Sequence, residues 1–97
     1  GRRSKEERRA TRGAKDAVRE GFKGKDAKLF EALKSWRRET ASASGVPPYV
    51  IFHDATLAGI VRVKPADLTA LGRVPGIGEA KLKKYGNEVL AVVIAGV

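Results

Sequence analysis

The chain has no cysteine, a single histidine, and roughly half as many acidic as basic residues. Without cysteine there are no disulfides and no thiolate metal sites, which fits an intracellular protein. His53 has no second histidine at ligand spacing, so a metal centre or a histidine-based catalytic triad lacks its parts. A loop histidine beside a helix cap is the simpler reading. No apolar run is long enough to cross a bilayer, and the basic start lacks the apolar stretch of a signal peptide. No paired carboxylates or nucleophile–base set stands out, and no catalytic activity and no cofactor are expected. Gly76-Ile77-Gly78-Glu79-Ala80-Lys81 imitates a phosphate loop but lacks its spacing. In a dinucleotide fingerprint, lysine at position 81 would stand where glycine belongs, and no strand precedes it.

What is present is positive charge. Twenty Lys+Arg face 11 Asp+Glu, giving a net charge of +9, which favours polyanions or acidic surfaces as partners. Ninety-seven residues suit one domain. Half of the basic residues fall in residues 1–27, where ten Lys+Arg accompany five acidic residues and the only large apolar side chains are Val18 and Phe22. Such a segment buries too little to offset its chain entropy, so it is expected to be a disordered arm. It serves either as a solvated linker or as a basic tether to phosphate.

Helical spacing begins at Lys28. Leu29, Leu33, Trp36 and Thr40, widened by Phe30, form an apolar stripe that leaves Lys34, Arg37 and Arg38 largely outside it. Trp36 is expected in the core, and Gly45 is placed to end the helix in a left-handed conformation. Val46-Pro47-Pro48-Tyr49-Val50-Ile51-Phe52 then reads as a loop across the core, because two prolines oppose a helical start while the apolar content resists exposure. Asp54 is expected to cap the next helix, with Leu57, Ile60 and Val61 inside. Pro65 stops that helix or opens the next, a short one marked by Leu68 and Leu71. A glycine turn follows at Val74-Pro75-Gly76-Ile77-Gly78, and then a helix from Glu79 to Tyr85. Gly86 breaks the run and Asn87 caps a last, buried helix containing Val89, Leu90 and Val93. The expected core is Leu29, Leu33, Trp36, Ile51, Phe52, Leu57, Ile60, Leu71, Leu82 and Leu90.

The turn with its flanking helices, Leu68 to Leu82, resembles a helix-hairpin-helix motif. There the amides at Gly76 and Gly78 and the positive end of the following helix can hold a backbone phosphate, with Lys81 adding charge. A tight corner that needs small residues only for packing explains the same residues.

Across residues 28–97 the chain resembles an HRDC domain, the accessory helical module of RecQ-family and related bacterial helicases. The resemblance is carried by Leu29-Phe30-Glu31-Ala32-Leu33 with Trp36-Arg37, by Val46 to Phe52 with Asp54-Ala55-Thr56-Leu57, and by Val74 to Gly78 with Lys81-Leu82 and Tyr85-Gly86. It implies an all-α, compact bundle of about five short helices, monomeric, with no membrane partner. It also implies a cytoplasmic, nucleoid-associated parent protein whose ATP-driven motor lies outside this chain. By resemblance, Tyr49 and basic residues on neighbouring helices touch single-stranded or branched DNA. Of the basic residues, Lys81 and Lys84 carry over from the family; Arg73, Arg37 and Lys34 are added as basic residues that extend the track, with Gly76 and Gly78 as the phosphate-contact turn. The rival expectation is an interaction module that docks on the helicase motor domain or on another protein. Residues 28–97 support it, since they hold only ten Lys+Arg against six Asp+Glu.

Overall fold

The computed structural model describes residues 21–96. Of the arm expected over residues 1–27, residues 1–20 lie outside the described residues. Within them the chain is all-α, with five helices and no strand. Helix α1 (Lys25–Ser44) is the central element, packed against α2 (Pro48–Ile51), α3 (Asp54–Val63) and α5 (Glu79–Gly96). Helix α4 (Leu68–Gly72) packs on α5.

The buried face of α1 is Leu29, Phe30, Leu33, Arg37 and Ala41. Side chains four apart share one face, so the stripe runs 29–33–37–41 and Trp36 sits at its edge, half-buried. The helix ends as the composition predicts. Gly45 is left-handed at φ 67°, its N–H bonds Ser42, and the Val46 N–H bonds the Ala41 carbonyl at 3.0 Å. That pair of bonds is a Schellman closure, and Val46 packs against the core behind it.

Four expectations are corrected here. Helix α1 starts at Lys25, not Lys28, and Phe22 before it is buried in the core. The Phe22 ring lies 5.3 Å from that of Phe30, and the Arg62 guanidinium lies 5.3 Å from the Phe22 centroid. Asp26, also assigned to the arm, pairs with Lys64 at 2.8 Å. Second, the prolines start a helix: Pro47 is the extended N-cap and Pro48 the first helical residue, a position where the missing N–H has no partner to lose.

Third, Asp54 does not cap α3. His53 is the N-cap residue, without a side-chain cap bond, and its carbonyl accepts from Thr56 and Leu57. The Asp54 carboxylate turns instead to Arg37, 2.7 Å from Nη2. Fourth, Gly86 does not break α5, which runs unbroken for 18 residues. A Cβ at Gly86 would meet Leu68 Cδ2 at 2.7 Å, so the glycine lets the start of α4 lie against α5. The expected count of five helices is met with different members, because α2 is gained and two predicted helices fuse into α5.

Of the predicted core, Leu29, Leu33, Ile51, Phe52, Leu57, Ile60, Leu71 and Leu90 are buried, whereas Trp36 and Leu82 pack only partly buried against the core. Burying these large side chains contributes roughly 1.5–3 kcal/mol apiece before the loss of chain entropy is subtracted. Between α4 and α5 the chain turns through Gly76 at φ 94°, where a Cβ would collide with the hydroxyl of buried Thr56. The Ile77 N–H closes this corner on the Val74 carbonyl at 3.2 Å, with both side chains buried.

Candidate nucleic-acid interface

Three aromatic rings from three parts of the chain meet beside the short helix α2. Phe52 leaves the end of α2 and lies 6.0 Å from Trp36 on α1 and 6.0 Å from Tyr85 on α5. Trp36 and Tyr85 close the triangle at 5.8 Å, edge to face. Such tilted and edge-on pairs match the ring quadrupoles and hold the three elements in a fixed relation.

Two lysines of α5 lie over this cluster. Lys81 Nζ is 5.5 Å from the Phe52 centroid, and Lys84 Nζ is 5.4 Å from the Tyr85 centroid. Each contact is worth on the order of 0.5–1 kcal/mol at a partly exposed site, enough to bias a side chain without removing its charge from solvent. The Phe52 contact brings the charge of Lys81 from the first turn of α5 to a residue three positions from Tyr49.

Tyr49 is 58% exposed, and Val50 beside it is also exposed, while Ile51 and Phe52 are buried. The split follows from anchoring. Ile51 and Phe52 take the inward positions, and the proline-started turn holds Tyr49 outward with little backbone freedom. The Tyr49 ring stacks with that of His53, centroids 6.1 Å apart and planes 26° from parallel.

Not every predicted site residue joins this patch. Arg37 is corrected outright: it is 7% exposed, donates from Nη1 to the Phe52 carbonyl at 2.8 Å and pairs with Asp54. Its guanidinium ties α1 to the chain between α2 and α3 and is committed to that tie. Lys34 lies over Phe30, 5.7 Å from the ring centroid. Residues two apart on a helix point to different sides, so Lys34 and Trp36 do not share a face. Arg73 is exposed at the end of α4, in the approach to Gly76. Lys83 is paired with Glu79 at 3.6 Å on the exposed side of α5.

The two turn glycines differ in kind. Gly76 is required by its backbone angle and by Thr56, a packing role. Gly78 faces open space, so nothing crowds the backbone where α5 begins. Glu79 in that first turn already complements the positive end of the helix dipole, which lowers its attraction for a phosphate. Among the described residues no three His, Asp or Glu side chains are grouped to hold a metal ion. No described helix is long and apolar enough to cross a membrane.

Sequence reasoning passed over His53 as a loop residue. No local pattern pairs it with Tyr49, because the short helix ends at Ile51 and the chain is extended through Phe52 and His53.

Comparison with known proteins agrees with this architecture. The family model described as HRDC domain matches residues 26–93. The helicase UvrD2 of Mycobacterium tuberculosis is 48% identical over 68 residues, covering 70% of this chain and 10% of that protein. The RecQ helicase of Bacillus subtilis is 36% identical over 81 residues, covering 84% of this chain and 14% of that protein. The chain thus spans a small part of the curated relatives it matches. HRDC domain 3 of D. radiodurans RecQ superposes with a TM-score of 0.70 at 36% identity, covering 72% of this chain and 92% of that one.

Proposed function

The chain belongs to the HRDC domain family, and from that premise we propose that it is an accessory nucleic-acid-binding module of a DNA helicase. It adds weak affinity for single-stranded or branched DNA and carries no catalytic step of its own. ATP hydrolysis and unwinding belong to a motor in the same parent protein.

One observation supports this reading above the others: an exposed, proline-braced Tyr49 lies close in sequence to the ring that carries Lys81. An exposed aromatic face on a domain that also carries Lys81 and Lys84 over neighbouring rings matches the chemistry of a single strand, whose bases stack and whose phosphates are anionic. Lys84, Arg73 and the open backbone at Gly78 extend the phosphate track. Lys34 serves a different side, and Arg37 is withdrawn from the set. With few phosphates neutralised, binding falls at roughly 10⁻⁴–10⁻⁶ M and weakens steeply with salt.

The competing role, docking on the motor or a partner protein, is favoured by the apolar Pro47–Val50 edge and by the small charge excess of residues 28–97. A titration of labelled single-stranded and forked DNA at several salt concentrations separates the two. Lys81→Ala combined with Lys84→Ala flattens the salt dependence if these lysines touch phosphate, by about 0.7 in log–log slope for each phosphate no longer neutralised on a single strand. A double variant with unchanged affinity and slope rejects the DNA-binding face and leaves the docking role in its place.

A further inference from the structure

We propose that Tyr49 and His53 together form a two-ring step on which two successive bases of a single strand stack, so that His53 is a nucleic-acid contact in its own right. The inference rests on the DNA-binding reading of Tyr49 and adds a second contact residue to it.

The geometry that points to it is local and fixed. The ring centroids are 6.1 Å apart with the planes 26° from parallel, an offset arrangement within the usual range for aromatic pairs. Both residues are exposed. The pair is not an ordinary helical neighbour pair, because α2 ends at Ile51 and the chain runs extended through Phe52 and His53. Its relative placement is held instead from both sides. Pro47 and Pro48 brace Tyr49. The Phe52 carbonyl is held by Arg37, and the His53 carbonyl caps α3 by accepting from Thr56 and Leu57.

The imidazole makes no cap bond, so it is not committed to the helix it precedes. The neighbouring Asp54 carboxylate is directed to Arg37, which limits its repulsion of an approaching phosphate. Two pre-placed rings lose little freedom on stacking, and every base has a π face, so the step reads strandedness rather than sequence. Bases inside a duplex are not available to it.

The test uses the full 97-residue chain, a labelled fifteen-residue oligothymidylate and a duplex of equal length. His53 is the only histidine, so its two ring C–H signals are identifiable in a proton NMR spectrum. On adding the single strand, both signals move upfield by ring-current shielding; the duplex leaves them in place. His53→Ala weakens single-strand affinity roughly fivefold, near the low end of what base–aromatic stacking supplies, whereas His53→Phe retains it. Neither changes the salt slope.

If His53→Ala binds as tightly as the parent, or His53→Phe is as weak as His53→Ala, while Tyr49→Ala is impaired, the two-ring step is wrong and the Tyr49 contact stands alone. If Tyr49→Ala and His53→Ala both leave affinity unchanged, the DNA-binding reading fails together with the step.

Discussion

Replacing Arg37 with methionine isolates what its guanidinium does, because methionine keeps much of the buried stem while removing the charge. The guanidinium is 2.8 Å from the Phe52 carbonyl and 2.7 Å from the Asp54 carboxylate. Leaving a buried carbonyl without its donor costs about 1–3 kcal/mol. The Asp54 side chain is 61% exposed and rehydrates when released, so loss of the ion pair adds only about 0.5 kcal/mol. Against these losses, removing a buried guanidinium whose Nε has no hydrogen-bond partner among the described residues recovers part of a desolvation cost. The net expectation for Arg37→Met is a loss of about 2 kcal/mol. For a domain of this size each kcal/mol shifts Tm by about 4–8 °C, so a drop of roughly 10 °C is expected. Asp54→Asn should cost less, about 0.5–1 kcal/mol, by weakening the ion pair and the favourable charge in the first turn of α3. Urea and thermal melts followed by circular dichroism measure both variants. DNA titration of Arg37→Met well below its melting point should match the parent protein. An undiminished Tm together with weakened DNA binding would refute the structural assignment and return Arg37 to the binding face.

The remaining predictions concern the corners of the fold and the exposed ring. Gly76→Ala should lose at least about 1 kcal/mol for the left-handed backbone plus the displacement of Thr56, whereas Gly78→Ala should stay within about 0.5 kcal/mol of the parent. Paired melts decide it, and equal losses would contradict the division of roles. Phe22→Ala should cost about 3 kcal/mol, as for other buried aromatics, and a chain begun at residue 28 should be destabilised at least as much; a 28–97 chain as stable as the parent would contradict the placement of Phe22. Tyr49→Ala should weaken single-strand binding by about 1–3 kcal/mol without moving Tm, read by anisotropy and melting on one sample.

Much of the fold was legible because it follows from spacing. Leu29, Leu33, Leu57 and Ile60 repeat at helical intervals, and Gly45 ends α1 by the mechanism its residue type suggests. Arg37 was misplaced although its position was readable. It occupies the 29–33–37–41 row, but a charged side chain in an apolar row looks like the row's edge until its partners are known. Those partners lie 15 and more residues away, beyond any local pattern. Gly86 misled for a related reason. Glycine lowers helix propensity by only about 1 kcal/mol, and the close approach of Leu68 decides instead. Phe22 was hidden among glycines and lysines, where one aromatic residue does not make a pattern. The candidate site was legible at Tyr49, Lys81 and Lys84 as residues, but the Phe52–Trp36–Tyr85 cluster beneath the lysines emerges only when three segments meet.

The central claim is that the folded domain, and not only the basic N-terminal segment, meets DNA. The most direct measurement is an amide and aromatic chemical-shift map of the full chain during addition of a short single strand. The account predicts that signals of Tyr49, His53 and residues 78–84 move together and saturate at one affinity. Shifts confined to residues 1–20, with those signals stationary at saturating DNA, would contradict it.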